Sequence, residues 1–294
     1  MPSRGLSQAI DDLHAALSGQ LGEWVTHAKT LYDQLVVPVG ELPDGERLII
    51  VGSAVEQVPF EVLGPDPKHL LFASHAITYA RTLWSGAAAP AAARTTSKAL
   101  IVGLNGSGLS QAEDEARTAG AVLPNATVLV GGDEATRDRV IQDLPSAAWV
   151  HFATHGVIGS TKYLSSLSLA NGQAIEGWML FGLARQADMV VLSACNTWTE
   201  VSGGDPRAGG LGSVVLSAGA KRVVVSQWEA NDASSADFMK VFYQALGAGK
   251  LPVDAALQLA RKTVAGQSND PYLYANFLLR TRDLSAALTS VSWR

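Results

Sequence analysis

A single cysteine, Cys195, stands in 294 residues. An internal disulfide is therefore impossible, and with it the oxidised, stapled scaffold of small secreted domains. The same count excludes a zinc cluster built on cysteines. Charge is also sparse: 17% of the residues are Asp, Glu, Lys or Arg, and the formal net charge is −5. That balance argues against broad phosphate neutralisation, so nucleic acid is not an expected partner. No run approaches the ~20 apolar residues that span a bilayer. Residues 1–20 also lack the uninterrupted apolar stretch of a secretory leader. The expectation is a cytoplasmic protein without a membrane partner. Repeats of the solenoid type are missing as well.

What is present is a large apolar fraction, 47% of the chain, enough for a sizeable core. Apolar residues at helical spacing over 5–37 (Leu6, Ile10, Leu13, Leu17, then Leu21, Trp24, Val25, Ala28, Leu31, Leu35) predict N-terminal helices. Residues 47–51 and 76–80 have strand character. Residues 86–97, GAAAPAAARTTS, are small and polar without periodicity and read as a linker. Beyond it, short apolar runs at 99–104, 127–130, 149–154, 189–193 and 222–226 alternate with helical stretches, and an apolar segment over 274–280 completes the set. Runs of this kind are strands buried on both faces, hence a mostly parallel sheet between helices. The expected division is an N-terminal helical segment, 1–37, and an α/β domain, 38–294. Chemistry in such sheets collects beyond the carboxyl ends of the strands.

Two strand ends carry chemistry. In WVHFATHG (149–156), His151 and His155 share a face but lie about 13 Å apart along an extended chain, too far to ligate one metal. His151 reads as a core residue, whereas His155 lies where the strand gives way to Gly156. In DMVVLSACN (188–196), Cys195 lies just past the strand. Taken alone, a free cysteine is most often a small buried hydrophobe. The pairing changes that reading. One strand-crossover-strand unit separates the two residues, so their strands should be parallel neighbours ending on one sheet edge. A thiol and an imidazole then share one crevice, as nucleophilic cysteine catalysis requires.

VHFATHG followed by ADMVVLSACNT resembles the CHAT domain, a caspase-like peptidase domain. Supporting blocks occur in order: LYDQLVVPV and VPFEVL, AEDEA and GGDEATRDRVI, LSAGAKRVVVSQWEANDASSADFMKVFYQAL, and PYLYANFLL. The resemblance covers residues 30 to 283. It implies a caspase-like three-layer α/β/α sandwich with a mostly parallel central sheet, preceded by N-terminal helices. It further implies a cysteine endopeptidase using a His155–Cys195 dyad, with the backbone N–H groups of Gly156 and Cys195 as oxyanion hole and no cofactor or metal. By the same resemblance, Ser226, Gln227 and Trp228 are candidate cleft residues. Glu229, Asp232 and Asp205 are candidate specificity residues, although the two later acids also suit helix capping and Asp205 suits a turn. A protein substrate, such as a gasdermin-like partner in bacterial defence, and a regulatory protein supplying activation are the implied partners. The family's usual repeat array is absent, and VGSAVEQVPF lacks a Pro-Asp-Gly turn after the first strand. A catalytically silent interaction module of the same fold is the alternative. A nucleotide-binding protein is a weaker one, because GLNGSG (103–108) fits neither GxGxxG spacing nor a P-loop.

Overall fold

A computed structural model describes residues 4–52, 55–83, 98–184, 187–195, 197–198, 210–229, 231–247 and 251–288. The expected linker (86–97) and Asp205 lie outside the described residues. The chain opens with two helices, α1 (Arg4–Ser18) and α2 (Trp24–Leu35), followed by strand β1 (Leu48–Val51), a single helical turn α3 (Leu71–Ser74) and strand β2 (Ile77–Ala80). Next come β3 (Ala99–Gly103), α4 (Ala112–Val122), β4 (Ala126–Val130), the short α5 (Gly131–Glu134), α6 (Arg137–Asp143) and β5 (Trp149–Ala153). Three short strands follow, β6 (Gly156–Val157), β7 (Ser166–Ser168) and β8 (Ala174–Glu176), then α7 (Gly177–Leu183) and β9 (Met189–Ser193). The last third holds α8 (Leu211–Ala218), β10 (Arg222–Ser226), α9 (Asp232–Gly247), α10 (Val253–Ala265), the turn α11 (Pro271–Tyr274), β11 (Phe277–Thr281) and α12 (Leu284–Leu288).

Eight strands form one sheet in the order β1-β2-β11-β10-β9-β5-β3-β4. The five from β10 to β4 are parallel; β11 is antiparallel to β10 and carries β2 and β1 with it. The sheet is thus mostly parallel, and its core divides by strand alternation. On one face Ala99, Ile101, Trp149, Met189, Val191 and Val224 pack with the helices α1, α2, α4, α9 and α10. On the other Leu100, Val102, Val150, Phe152, Val190, Leu192, Val223 and Val225 pack with α6, α7 and α8. This is the three-layer α/β/α arrangement expected from the alternating pattern. A period-two strand with apolar residues at every position must be covered on both sides.

The N-terminal helices share the first of these cores. Ile10, Leu13 and Leu17 of α1 and Ala28 and Leu31 of α2 are buried in the same cluster as the sheet. Sequence periodicity missed the three-stranded sheet β6-β7-β8. Its strands have two or three residues each, too short to show a period. No described helix is long and apolar enough to cross a membrane.

Candidate active site

Backbone register brings His155 and Cys195 together. Strands β5 and β9 are parallel neighbours, with Ala153 opposite Ser193. The Thr154 N–H continues the ladder to the Ser193 carbonyl at 3.3 Å. Each candidate lies two residues past this paired position, on strands whose usual separation is about 4.8 Å. Gly156 shows how close the two chains then run. A methyl group placed on it would sit 2.6 Å from the Cys195 carbonyl oxygen and 3.5 Å from the Cys195 nitrogen. Glycine is required there because the backbones nearly touch. His155, Gly156 and Cys195 are all partly exposed on this edge.

Each half of the pair is held by its own polar frame. On the histidine side, the Ser168 N–H donates to the His155 carbonyl at 2.9 Å and the Thr154 hydroxyl donates to the Ser168 carbonyl at 2.7 Å. The small sheet therefore fixes the backbone that carries the imidazole. On the cysteine side, the buried hydroxyl of Ser226 donates to the Ala194 carbonyl and accepts from the Thr197 N–H at 3.1 Å. The Thr197 hydroxyl in turn accepts from the Ser226 N–H at 2.9 Å, and the Trp198 N–H donates to the Ser226 carbonyl at 3.0 Å. Strand β10 thus staples the turn that presents Cys195.

A third element meets the imidazole. The turn at 104–111 follows β3, which lies on the far side of β5. A methyl group on Gly106 would lie 2.7 Å from His155 Nε2 and 2.8 Å from Cδ2. The GLNGSG segment is therefore a turn that abuts the histidine edge. Sequence reading did not connect it to His155. Its one signal is a glycine turn at the carboxyl end of a parallel strand.

The remaining candidates are dispersed. Ser226, Gln227 and Trp228 are buried. The N–H groups of Gln227 and Trp228 donate to Asn276 Oδ1 at 2.8 and 3.0 Å, and the Asn276 amide donates to the Trp228 carbonyl at 3.2 Å. Trp228 also donates from Nε1 to the Tyr272 carbonyl at 3.0 Å and stacks on the Tyr272 ring at 21°. Glu229 is exposed. Burial, then the charges of Glu229 and Cys195, push the Tyr272 phenol above its ordinary value. Tyr272, which sequence reading did not single out, therefore lies within electrostatic reach of both. Asp232 accepts from the Ser110 N–H and hydroxyl at 2.7 and 2.8 Å, on the histidine side of the crevice. Asn231, not Asp232, caps α9, accepting from the Ser234 N–H at 3.1 Å.

His151 is fully buried, away from this edge, in a polar network of the core. Tyr243 Oη lies 2.8 Å from its Nδ1, and Glu115 Oε1 lies 3.0 Å from its Nε2. Burial holds the Tyr243 phenol well above its ordinary value, so it remains a neutral O–H.

A thiol, an imidazole and two backbone N–H groups on one rim are the parts of nucleophilic acyl transfer. Comparison with solved structures finds the same fold. The Arg-specific cysteine proteinase gingipain R (RgpB) superposes with a TM-score of 0.57 at 9% identity, over 96% of this chain and 76% of that one. The complex of the pro- and mature domains of Porphyromonas gingivalis RgpB gives 0.55 at 9% identity, over 96% and 77%. The Saccharomyces cerevisiae separase in its securin complex gives 0.52 at 15% identity, covering 79% of this chain but 15% of that one. The chain matches no curated protein sequence. The family model for the CHAT domain matches residues 25–282. With nearly its whole length inside that match, the chain belongs to the CHAT domain family.

Proposed function

We propose that the protein is a cysteine endopeptidase in which Cys195 is the nucleophile and His155 its base. The observation that carries this reading is the in-register placement of the two residues, each two positions past the Ala153–Ser193 pair. In the reaction, the Cys195 thiolate attacks the scissile carbonyl carbon, and the oxyanion faces the N–H groups of Gly156 and Cys195. The C–N bond then breaks, His155 delivers the proton to the leaving amine, and a thioester remains. Water adds to that thioester with His155 as base, releasing the acid and restoring the thiol. Each oxyanion donor is commonly worth ~3 kcal/mol or more.

Glu229 is the favoured specificity residue. Its carboxylate is exposed, and Tyr272 senses both it and Cys195. A carboxylate exposed just past the end of β10, the strand beside β9, suits a basic side chain on the amino side of the cut bond. A protein substrate is the expected class. The resemblance extends that class to gasdermin-like pore formers in bacterial defence, with activation supplied by a regulatory protein.

Labelling with thiol-reactive peptidyl probes tests the reading. Wild type labels at Cys195, faster with Arg than with Asp at the terminal position, whereas Cys195→Ala does not label. His155→Ala slows labelling by at least about a hundredfold. Equal labelling of wild type and His155→Ala would overturn the dyad and favour a silent module of the same fold. A cleavage profile on an unbiased peptide library, and co-incubation with gasdermin-like proteins, define the substrate.

A further inference from the structure

Asp232 begins helix α9, yet its carboxylate serves a different element. One oxygen accepts from the Ser110 N–H and the Ser110 hydroxyl, at 2.7 and 2.8 Å, and the other accepts from the Gln111 N–H at 3.3 Å. Its own helix does not need it, because Asn231 fills the capping role there. Three donors on one carboxylate form a charge-assisted clamp, stronger than the same number of neutral bonds.

The clamped segment is the turn behind His155. The Leu104 N–H donates to the Ala153 carbonyl at 3.0 Å, anchoring the start of the turn to β5. Gly106 and Leu109 exchange backbone hydrogen bonds of 2.8 and 3.0 Å, closing it. Asn105 Oδ1 accepts from the Glu113 N–H at 3.1 Å and joins the turn to α4. Gly106 then faces the Nε2–Cδ2 edge of the imidazole with no room for a Cβ. A chain of contacts therefore runs from Asp232, through Ser110 and the closed turn, to the His155 ring. No link in that chain leaves the Asp232 carboxylate directed at a substrate side chain.

We infer that Asp232 is a positioning residue: it latches the 104–111 turn so that Gly106 holds the His155 imidazole in the orientation the dyad needs. This rests on the dyad reading and deepens it. It also divides the two acids after β10: Glu229 is left exposed, whereas Asp232 is bound to the turn.

Alkylation of Cys195 by iodoacetamide tests the latch, because that reagent has no side chain for any specificity pocket. Rates are measured from about pH 6 to about pH 9, where the thiol ionises without help. Asp232→Ala is expected to lose about tenfold in rate near pH 6 and little at the alkaline end, as misorientation of a catalytic partner commonly costs that much or more. Gly106→Ala should reproduce the effect without touching the latch. Asp232→Asn, whose amide oxygen still accepts an N–H, should recover most of the rate. Asp237→Ala, an exposed acid on the same helix, is the charge control. On cleavable peptides, the Asp232→Ala loss should fall on kcat and be equal for basic and neutral sequences. An unchanged alkylation profile, with KM raised only for basic peptides, would overturn the latch and make Asp232 a substrate-binding residue. If His155→Ala leaves the wild-type profile unchanged, the dyad itself fails, and the latch with it. Thermal melting of each variant separates these results from loss of fold.

Discussion

Ser226 shows how a residue inside the core acts on the turn that carries Cys195. Its hydroxyl is fully buried and bonds the Ala194 carbonyl and the Thr197 N–H, on either side of Cys195. Replacing it with alanine leaves both groups short of a partner in a dry site, which costs about 1–3 kcal/mol per group. Ser226→Ala is therefore expected to lower the urea midpoint and to reduce kcat with little change in KM. Gly156 is constrained by space. Gly156→Ala would push a methyl group to 2.6 Å from the Cys195 carbonyl oxygen. Either that turn or β6 must move, and a displacement of about 1 Å commonly costs a hundredfold in rate. Circular dichroism should show the fold retained while turnover falls. His155, Gly156 and Cys195 were legible as a group because all three lie at the ends of apolar strands. Ser226 also ends a strand, yet its inward direction follows from the return of the chain at Thr197 and Trp198, which no local pattern reveals.

Helix α1 is more than an apolar appendage. Its His14 contacts the Gln57 carbonyl through Nε2 at 2.7 Å and meets the Trp228 ring edge-on at 6.4 Å. Burial, partly opposed by the Gln57 bond and Asp11, lowers the His14 pKa below its ordinary value. The folded chain thus binds this proton less readily than the unfolded chain. Stability is whole above the ordinary histidine range and is lost as pH falls through it toward the lowered folded value. Urea unfolding at successively lower pH should show this loss, and His14→Gln should flatten it. The helix itself was legible from Ile10, Leu13 and Leu17, which recur at helical spacing. Its docking against the layer that carries Trp228 was not, because periodicity identifies the apolar stripe but not its partner. Strand β11 illustrates the same limit. Its apolar run marked it as buried, whereas its direction against β10 depends on the chain's return through α10 and α11.

At the scale of the whole molecule, the outer part of the sheet is organised around buried charge. Glu61 accepts from the Tyr79 hydroxyl at 2.7 Å and lies 3.6 Å from the Arg261 guanidinium, which donates to the Phe277 carbonyl at 2.7 Å. Burial, partly offset by Arg261, raises the Glu61 carboxyl above its ordinary value. The Arg280 guanidinium lies 3.8 Å from the Trp198 ring centroid and 4.8 Å from that of Tyr79. Desolvation brings its pKa down to about 10, which still leaves it cationic at neutral pH. Breaking such a pair is worse than removing it. Arg261→Met should cost about 3–5 kcal/mol by leaving Glu61 buried without its ion-pair partner, while Glu61→Leu with Arg261→Met should recover much of that loss. Denaturant titration of the single and double variants measures the difference. The shared core carries a further expectation. Deleting residues 1–21 uncovers the surfaces that Leu13 and Leu17 occupy, both essentially inaccessible in the intact chain. The truncated protein should melt lower and aggregate on heating rather than persist as an independent α/β domain.

From sequence alone came the quantities that are local and periodic. Five apolar runs and the helices between them determined a covered, mostly parallel sheet. Two motifs at strand ends determined which cysteine and which histidine share a sheet edge, since parallel neighbours with equal overhang deliver their next residues to one edge. Only the tertiary structure decided how that pair is supported. Asp232 and Ser110 are 122 positions apart, and Ser226 lies 32 positions from Ala194, so neither contact has a spacing to betray it. Gly106 reads as a glycine turn until His155 is set against it. A hydrogen bond or a close approach is a property of the space between elements, and sequence periodicity describes only the elements themselves.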